Sequence, residues 1–163
     1  MVQKINNPQT KRKSCLPILR EVEITYSAPK LEAPVKITTS QQAYDLLYPL
    51  FEKTGKMELK EMFYVLLLNR ANYVLGYSCI GIGSNAGVVI NIIELYQLVI
   101  KTNSTGIILC HNHPSNSLKA SEPDILLTKK VKAGCQLFDF VLLDHIIITA
   151  RSGYTSLTDE GLI

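Results

Sequence analysis

Gly106-Ile107-Ile108-Leu109-Cys110-His111-Asn112-His113-Pro114-Ser115, followed by Ser121-Glu122-Pro123-Asp124, is the stretch that decides how this chain is read. The uncharged run Gly106 to Cys110 reads as a short buried strand that ends at the histidines. Residues 111–120 read as a loop, and Ser121 starts a helix to about Lys132, with Gly134 as its natural stop. Histidines at i and i+2 on extended backbone project to the same side. His111 and His113 can therefore converge on one ion, while Asn112 points away and holds the loop. With Asp124 they make a ligand set for a catalytic Zn²⁺ that keeps a fourth position open for water.

The same residues carry a plainer reading. Ser-x-x-Asp at a helix start is a capping box, with Ser121 as N-cap and Asp124 at the third helical position. Glu122 and Pro123 belong in a first turn. Paired histidines occur in ordinary loops too. Taken singly these residues leave caps and ligands as alternatives; their order at short range favours a metal.

Working outward, Met62 to Leu68 is a continuous apolar run after Glu61 and predicts a central strand covered on both faces. Residues 69–72 supply a turn, and residues 73–82 the partner strand. Ser40 is the expected N-cap of a helix with Ala43, Leu46, Leu47 and Leu50 on one face, kinked or ended by Pro49. Asn91 caps a second helix carrying Ile92, Leu95, Tyr96 and Val99. Residues 140–149 form a long strand, and residues 153–157 return as a hairpin. A hairpin in the middle and alternating strands and helices afterwards predict an α/β domain, a mixed sheet flanked by helices. Residues 81–87 are glycine-rich but lack the spacing of a phosphate loop.

The 163 residues suit one domain, residues 40–163, preceded by a basic tail, an edge strand at residues 21–26 and a linker, together residues 1–39. No apolar run reaches the ~18 residues that span a bilayer, and no secretory core is visible, so a cytoplasmic protein without membrane contact is expected. Lys4, Lys11, Arg12 and Lys13 sit in an acid-free tail. Without those four, 13 of the 17 basic residues remain against 14 acidic ones. The near-neutral body argues against strong nucleic-acid binding; weak contact through the tail is the most it supports. Cys15, Cys79, Cys110 and Cys135 form no CxxC pair, and Cys110 is expected to face the core.

His-x-His-Pro, six residues, then Ser-x-x-Asp resembles the JAMM (JAB/MPN) metalloprotease signature. The stretches Gly106 to Ser115, Leu142-Leu143-Asp144-His145-Ile146-Ile147-Ile148 and Tyr154 to Leu162 resemble its RadC-type branch, here in the short form without a helix-hairpin-helix region. The resemblance covers roughly residues 40–163. It implies a cytidine-deaminase-like α-β-α sandwich and one Zn²⁺ per chain on His111, His113 and Asp124. It further implies oxyanion assistance from Ser121 and a glutamate as general base. Glu61 is the choice for that base, with Glu58 and Glu94 as rivals. Asn116 stands where the branch usually has glycine. His145 reads as a hydrogen-bonded structural residue, or with Asp144 as a pair orienting something near the metal, as Asn112 would.

The function these features imply is metal-dependent hydrolysis of a peptide or isopeptide bond in an unidentified protein or peptide. A non-catalytic, DNA-repair-associated protein with a structural metal is the alternative. A nucleobase deaminase is excluded, because it needs H-x-E with P-C-x-x-C, and this chain has neither.

Overall fold

A computed structural model describes residues 33–163; the basic tail, the edge strand expected at residues 21–26 and most of the linker lie outside the described residues. The elements are α1 (Ser40–Glu52), β1 (Met62–Leu68), β2 (Val74–Ile82), α2 (Ile92–Lys101), β3 (Gly106–Asn112), α3 (Glu122–Leu137), β4 (Val141–Ile148) and β5 (Tyr154–Ser156). The five strands form one mixed sheet in the order β2-β1-β3-β4-β5. Among the described residues the one parallel pair is β3 with β4, and α3 is the crossover that such a pair requires.

Every residue of β1 and of β3 is buried, because helices cover both faces of the sheet. Tyr64, Leu66, Leu68, Ile108, Cys110, Ile146 and Ile148 meet Ala43, Leu47 and Phe51 of α1. Phe63, Val65, Leu67, Ile107 and Leu109 point the other way, onto Leu95 and Val99 of α2 and Val131 and Cys135 of α3. Full burial of Leu47 or Phe51 contributes roughly 1.5–3 kcal/mol each. The period-2 alternation also places Cys110 in the α1 layer, away from its neighbour His111.

Several boundaries differ from the expectation. Thr39, not Ser40, caps α1, accepting from Gln42 N, and the helix runs through Pro49 to Glu52. Pro49 is exposed and lies in the last turn of the helix, where its missing N–H costs the one bond back to Asp45 O. The chain joins the sheet before residue 40: Val74 N donates to Val35 O at 2.8 Å and Ile37 N to Asn72 O at 2.9 Å. Strand β3 extends past Cys110 to include His111 and Asn112, because both residues keep pairing with β4, opposite Ile147 and Ile148.

Gly134 does not stop α3, which runs on to Leu137. Its missing Cβ makes room for a tyrosine: a Cβ there would lie 2.0 Å from Tyr96 Oη. That hydroxyl donates to Val131 O at 3.1 Å, joining α2 to α3. In an open helix, Gly to Ala stabilises by about 1 kcal/mol. Here overpacking, typically ~1–3 kcal/mol, should win, so Gly134→Ala is expected to destabilise the chain in urea. In a Tyr96→Ala background the same change should stabilise it. A Gly134→Ala chain more stable than wild type would contradict this account.

Candidate metal centre

The three candidate ligands meet at the end of β3 on the α3 side. His111 is on the strand, His113 follows it in the loop, and Asp124 stands in the first turn of α3. His111 Nε2 and His113 Nε2 lie 2.9 Å apart. Asp124 Oδ1 is 3.2 Å from the first and Oδ2 is 3.3 Å from the second. One donor atom from each residue falls within 4.8 Å of the other two. A tetrahedral zinc ion about 2.1 Å from each donor sets donors roughly 3.2–3.5 Å apart; the two carboxylate–imidazole distances match that spacing, and the two rings, at 2.9 Å, would have to part slightly to admit the ion.

The proton count points the same way. His113 Nδ1 lies 2.8 Å from Ser117 O. A carbonyl only accepts, so Nδ1 carries a proton, and in the neutral ring Nε2 presents its lone pair to the cluster. Burial works against a charge on His113, but the Asp124 carboxylate and Ser117 carbonyl outweigh it and raise its pKa. Burial likewise disfavours the Asp124 carboxylate, yet His111, His113 and Ser121 hold its pKa well below the usual range. The pocket is therefore built for positive charge beside Asp124.

Asp124 is also a cap. Its Oδ2 accepts from Ser121 N at 2.7 Å and Ser121 Oγ at 2.6 Å, and Asp124 N donates back to Ser121 Oγ at 3.3 Å. The capping box is complete, and Oδ1 still faces His111.

Glu61 continues the β1–β2 ladder by one residue: its N donates to Ser84 O at 2.9 Å, and its O accepts from Gly83 N at 2.8 Å. It lines a cavity of about 540 Å³ together with His113, Ser121 and Asp124. Burial raises its pKa, an effect partly offset by His111 and His113. The rivals do not line this cavity. Glu58 is bound to Arg151 at 2.8 Å and to Asn116 Nδ2 at 2.9 Å. Glu94 is exposed on α2.

Asn112 fixes the segment that carries Glu61. It is fully buried. Its Nδ2 donates to Met57 O at 2.7 Å and Lys60 O at 2.9 Å, and its Oδ1 accepts from Met62 N at 2.8 Å. Asp144 and His145 part company. Asp144 accepts from Ser156 Oγ, Thr158 N and its neighbour's N, tying β4 to β5 and the turn after it, and does not reach the imidazoles. His145, on the opposite face, lies 2.9 Å from His111 Nδ1 through its Nε2.

The sequence reading passed over two residues. Phe63 stacks on the His111 ring at 5.3 Å and 2°, and Thr128 lies 2.6 Å from His145 Nδ1. Both were findable by spacing: Phe63 is two residues after Glu61 on a strand, and Thr128 one turn after Asp124 on a helix. Asn116 takes a left-handed φ of 59°, which explains how it serves where the resembled branch has glycine.

The profile of the RadC-like JAB domain matches residues 37–162. The chain belongs to that family. It is 38% identical over 127 residues to a UPF0758 protein of Flavobacterium johnsoniae, an alignment covering 78% of this chain and 53% of that one. It is 32% identical over 146 residues to a UPF0758 protein of Methanosarcina mazei, covering 90% and 60%. A UPF0758 protein of Fusobacterium nucleatum is 40% identical over 118 residues, covering 72% and 50%. The chain thus spans between 50% and 60% of the length of these three relatives. Among the described residues, no helix is long and apolar enough to cross a membrane.

The sign of the pH dependence follows from His113. In metal-free protein its raised pKa stabilises the fold fully below the unfolded value of about 6.5, and that stabilisation is lost as pH rises through the folded value. His145, whose pKa burial lowers, acts below that window. Zinc binds only deprotonated ligands, so the loaded chain should gain stability over the range where the chelated chain loses it. Denaturant melts from about pH 6.5 upward, with chelator and with zinc, should show slopes of opposite sign. Equal slopes would mean that His113 does not bind the metal.

Proposed function

We propose that this domain is a zinc-dependent hydrolase that cleaves a peptide or isopeptide bond. The observation that carries the reading is the convergence of His111, His113 and Asp124 within 4.8 Å, beside a cavity lined by His113, Asp124, Glu61 and Ser121. A structural zinc site closes all four positions with protein ligands. Here two of the three donors, His113 and Asp124, line an open cavity, which supports a catalytic role.

His111 and His113 would hold the ion through Nε2, and Asp124 through Oδ1. When bound, zinc would supply Lewis acidity, activating a water and polarising a carbonyl. Glu61 would take a proton from a water in the cavity and give it to the leaving nitrogen, a role that needs a carboxylate within hydrogen-bond reach of both. Its raised pKa brings it nearer the working range of a general base. Ser121 Oγ donates to the developing oxyanion, turning its proton from Asp124 Oδ2 toward the cavity. Ser121 N keeps its own bond to that oxygen, so the helix remains capped. Phe63, flat against His111, excludes water from one side of the ligand ring.

Metal content by mass spectrometry tests the reading. Wild type should hold about one zinc per chain, and His113→Ala should lose it. Glu61→Gln should keep the zinc and lose hydrolysis of a peptide library by about 10²–10⁴-fold. A folded wild-type chain that takes up no added zinc would refute the proposal. Full zinc loading without any cleavage would move the metal to a structural role.

A further inference from the structure

His145 takes no part in the chemistry described above, yet its ring is fully buried and bonded at both nitrogens. The proton order along that chain can be worked out from one end. Thr128 Oγ1 donates to Asp124 O at 2.5 Å. A hydroxyl has one proton and a carbonyl has none to give, so that proton is spent. The contact of 2.6 Å between Thr128 Oγ1 and His145 Nδ1 must then use a proton on the imidazole. Neutral His145 carries a single ring proton, which leaves Nε2 bare. The contact of 2.9 Å to His111 Nδ1 must therefore use a proton of His111. His111 Nε2 is left with its lone pair, facing His113 and Asp124.

We propose that His145 and Thr128 are positioning residues that fix the tautomer of His111, so that Nε2 and not Nδ1 is offered to the metal. The inference rests on the metal reading above. His113 reaches the same state from a single loop carbonyl, that of Ser117. His111 lies within the sheet, where backbone carbonyls are engaged in the ladder, and needs a side-chain relay instead. The relay ends on the backbone of Asp124, the residue whose carboxylate completes the ligand set. One bonded chain therefore links the third ligand to the first through α3 and β4. Thr128, His145 and His111 each have 0% exposure, so water has no access to replace a missing link.

Thr128→Val removes the hydroxyl at nearly constant volume. His145 Nδ1–H then has no acceptor, and the ring gains by moving its proton to Nε2 and donating to His111 Nδ1. That forces the His111 proton onto Nε2 and blocks the ligand position. Outer partners of metal-bound histidines typically set affinity by about 10–100-fold. Competition titration of zinc against a chromophoric chelator should show that loss in Thr128→Val and recovery in Thr128→Ser. Long-range ¹⁵N NMR of the histidine rings in metal-free wild type should show Nδ1–H on both His145 and His111. In Thr128→Val, His111 should change tautomer, which a merely structural role for Thr128 would not cause.

Wild type that binds zinc, with Thr128→Val binding it equally well, would overturn the relay and leave the metal reading standing. Wild type that binds no zinc overturns both. Should Thr128→Val fail to fold, the wild-type spectrum still decides: His145 protonated at Nε2 would refute the relay.

Discussion

Two imidazole nitrogens face each other at 2.9 Å in a place one ring shares with no solvent. Two lone pairs at that distance repel, so something positive must lie between or beside them, a proton or a metal ion. Much of the surrounding structure answers that demand. Asp124 supplies opposite charge to both rings. Ser117 O fixes the outward nitrogen of one ring, and His145 contacts that of the other. A proton meets the demand only below the raised pKa of His113. A cation held by the three residues would meet it at any pH where the rings are neutral.

The apparent conflict between helix cap and metal ligand dissolves in the geometry of a carboxylate. Asp124 has two oxygens. Oδ2 takes the N–H and hydroxyl of Ser121, while Oδ1 points at His111. Capping holds the carboxylate still, and a ligand held still loses little entropy on binding. Pro123 in the first turn restrains the same backbone, because its ring fixes φ. Capping Ser121 and facing His111 are thus compatible in one carboxylate.

The fold and the convergence of His111, His113 and Asp124 were legible because both rest on local pattern. Met62 to Leu68 has no alternation and could only be an inner strand; His-x-His and Ser-x-x-Asp carry their spacing within one strand end and one helix turn. What was hidden depends on contacts between distant segments. Gly134 looked like a helix stop because a glycine near a helix end usually is one, but its neighbour Tyr96 lies on another helix. The strand end was placed at Cys110, where the apolar run stops, yet pairing with β4 carries the strand on through Asn112. His145 read as a structural residue or as a pair with Asp144, and the alternation of a strand sent the two to opposite faces. Thr128 carried no signal of its own, since a threonine in a helix becomes meaningful only when its partner is known.

Placing His111 and Asn112 inside β3 has a consequence for the whole site. On a strand, neighbours face opposite ways, so one residue addresses the metal cluster while the next addresses the far layer. There Asn112 bonds the backbone of residues 57, 60 and 62, the segment that carries Glu61. The spacing between the His111 ring and the Glu61 carboxylate is therefore set by two adjacent residues of one rigid strand. A flexible loop is not needed to bring them together. His113, just beyond the strand, lies on the side where the chain opens to the cavity. Rigid placement on the inner side and a loop on the outer side is what a site needs if it must hold its ligands in position and still admit a substrate.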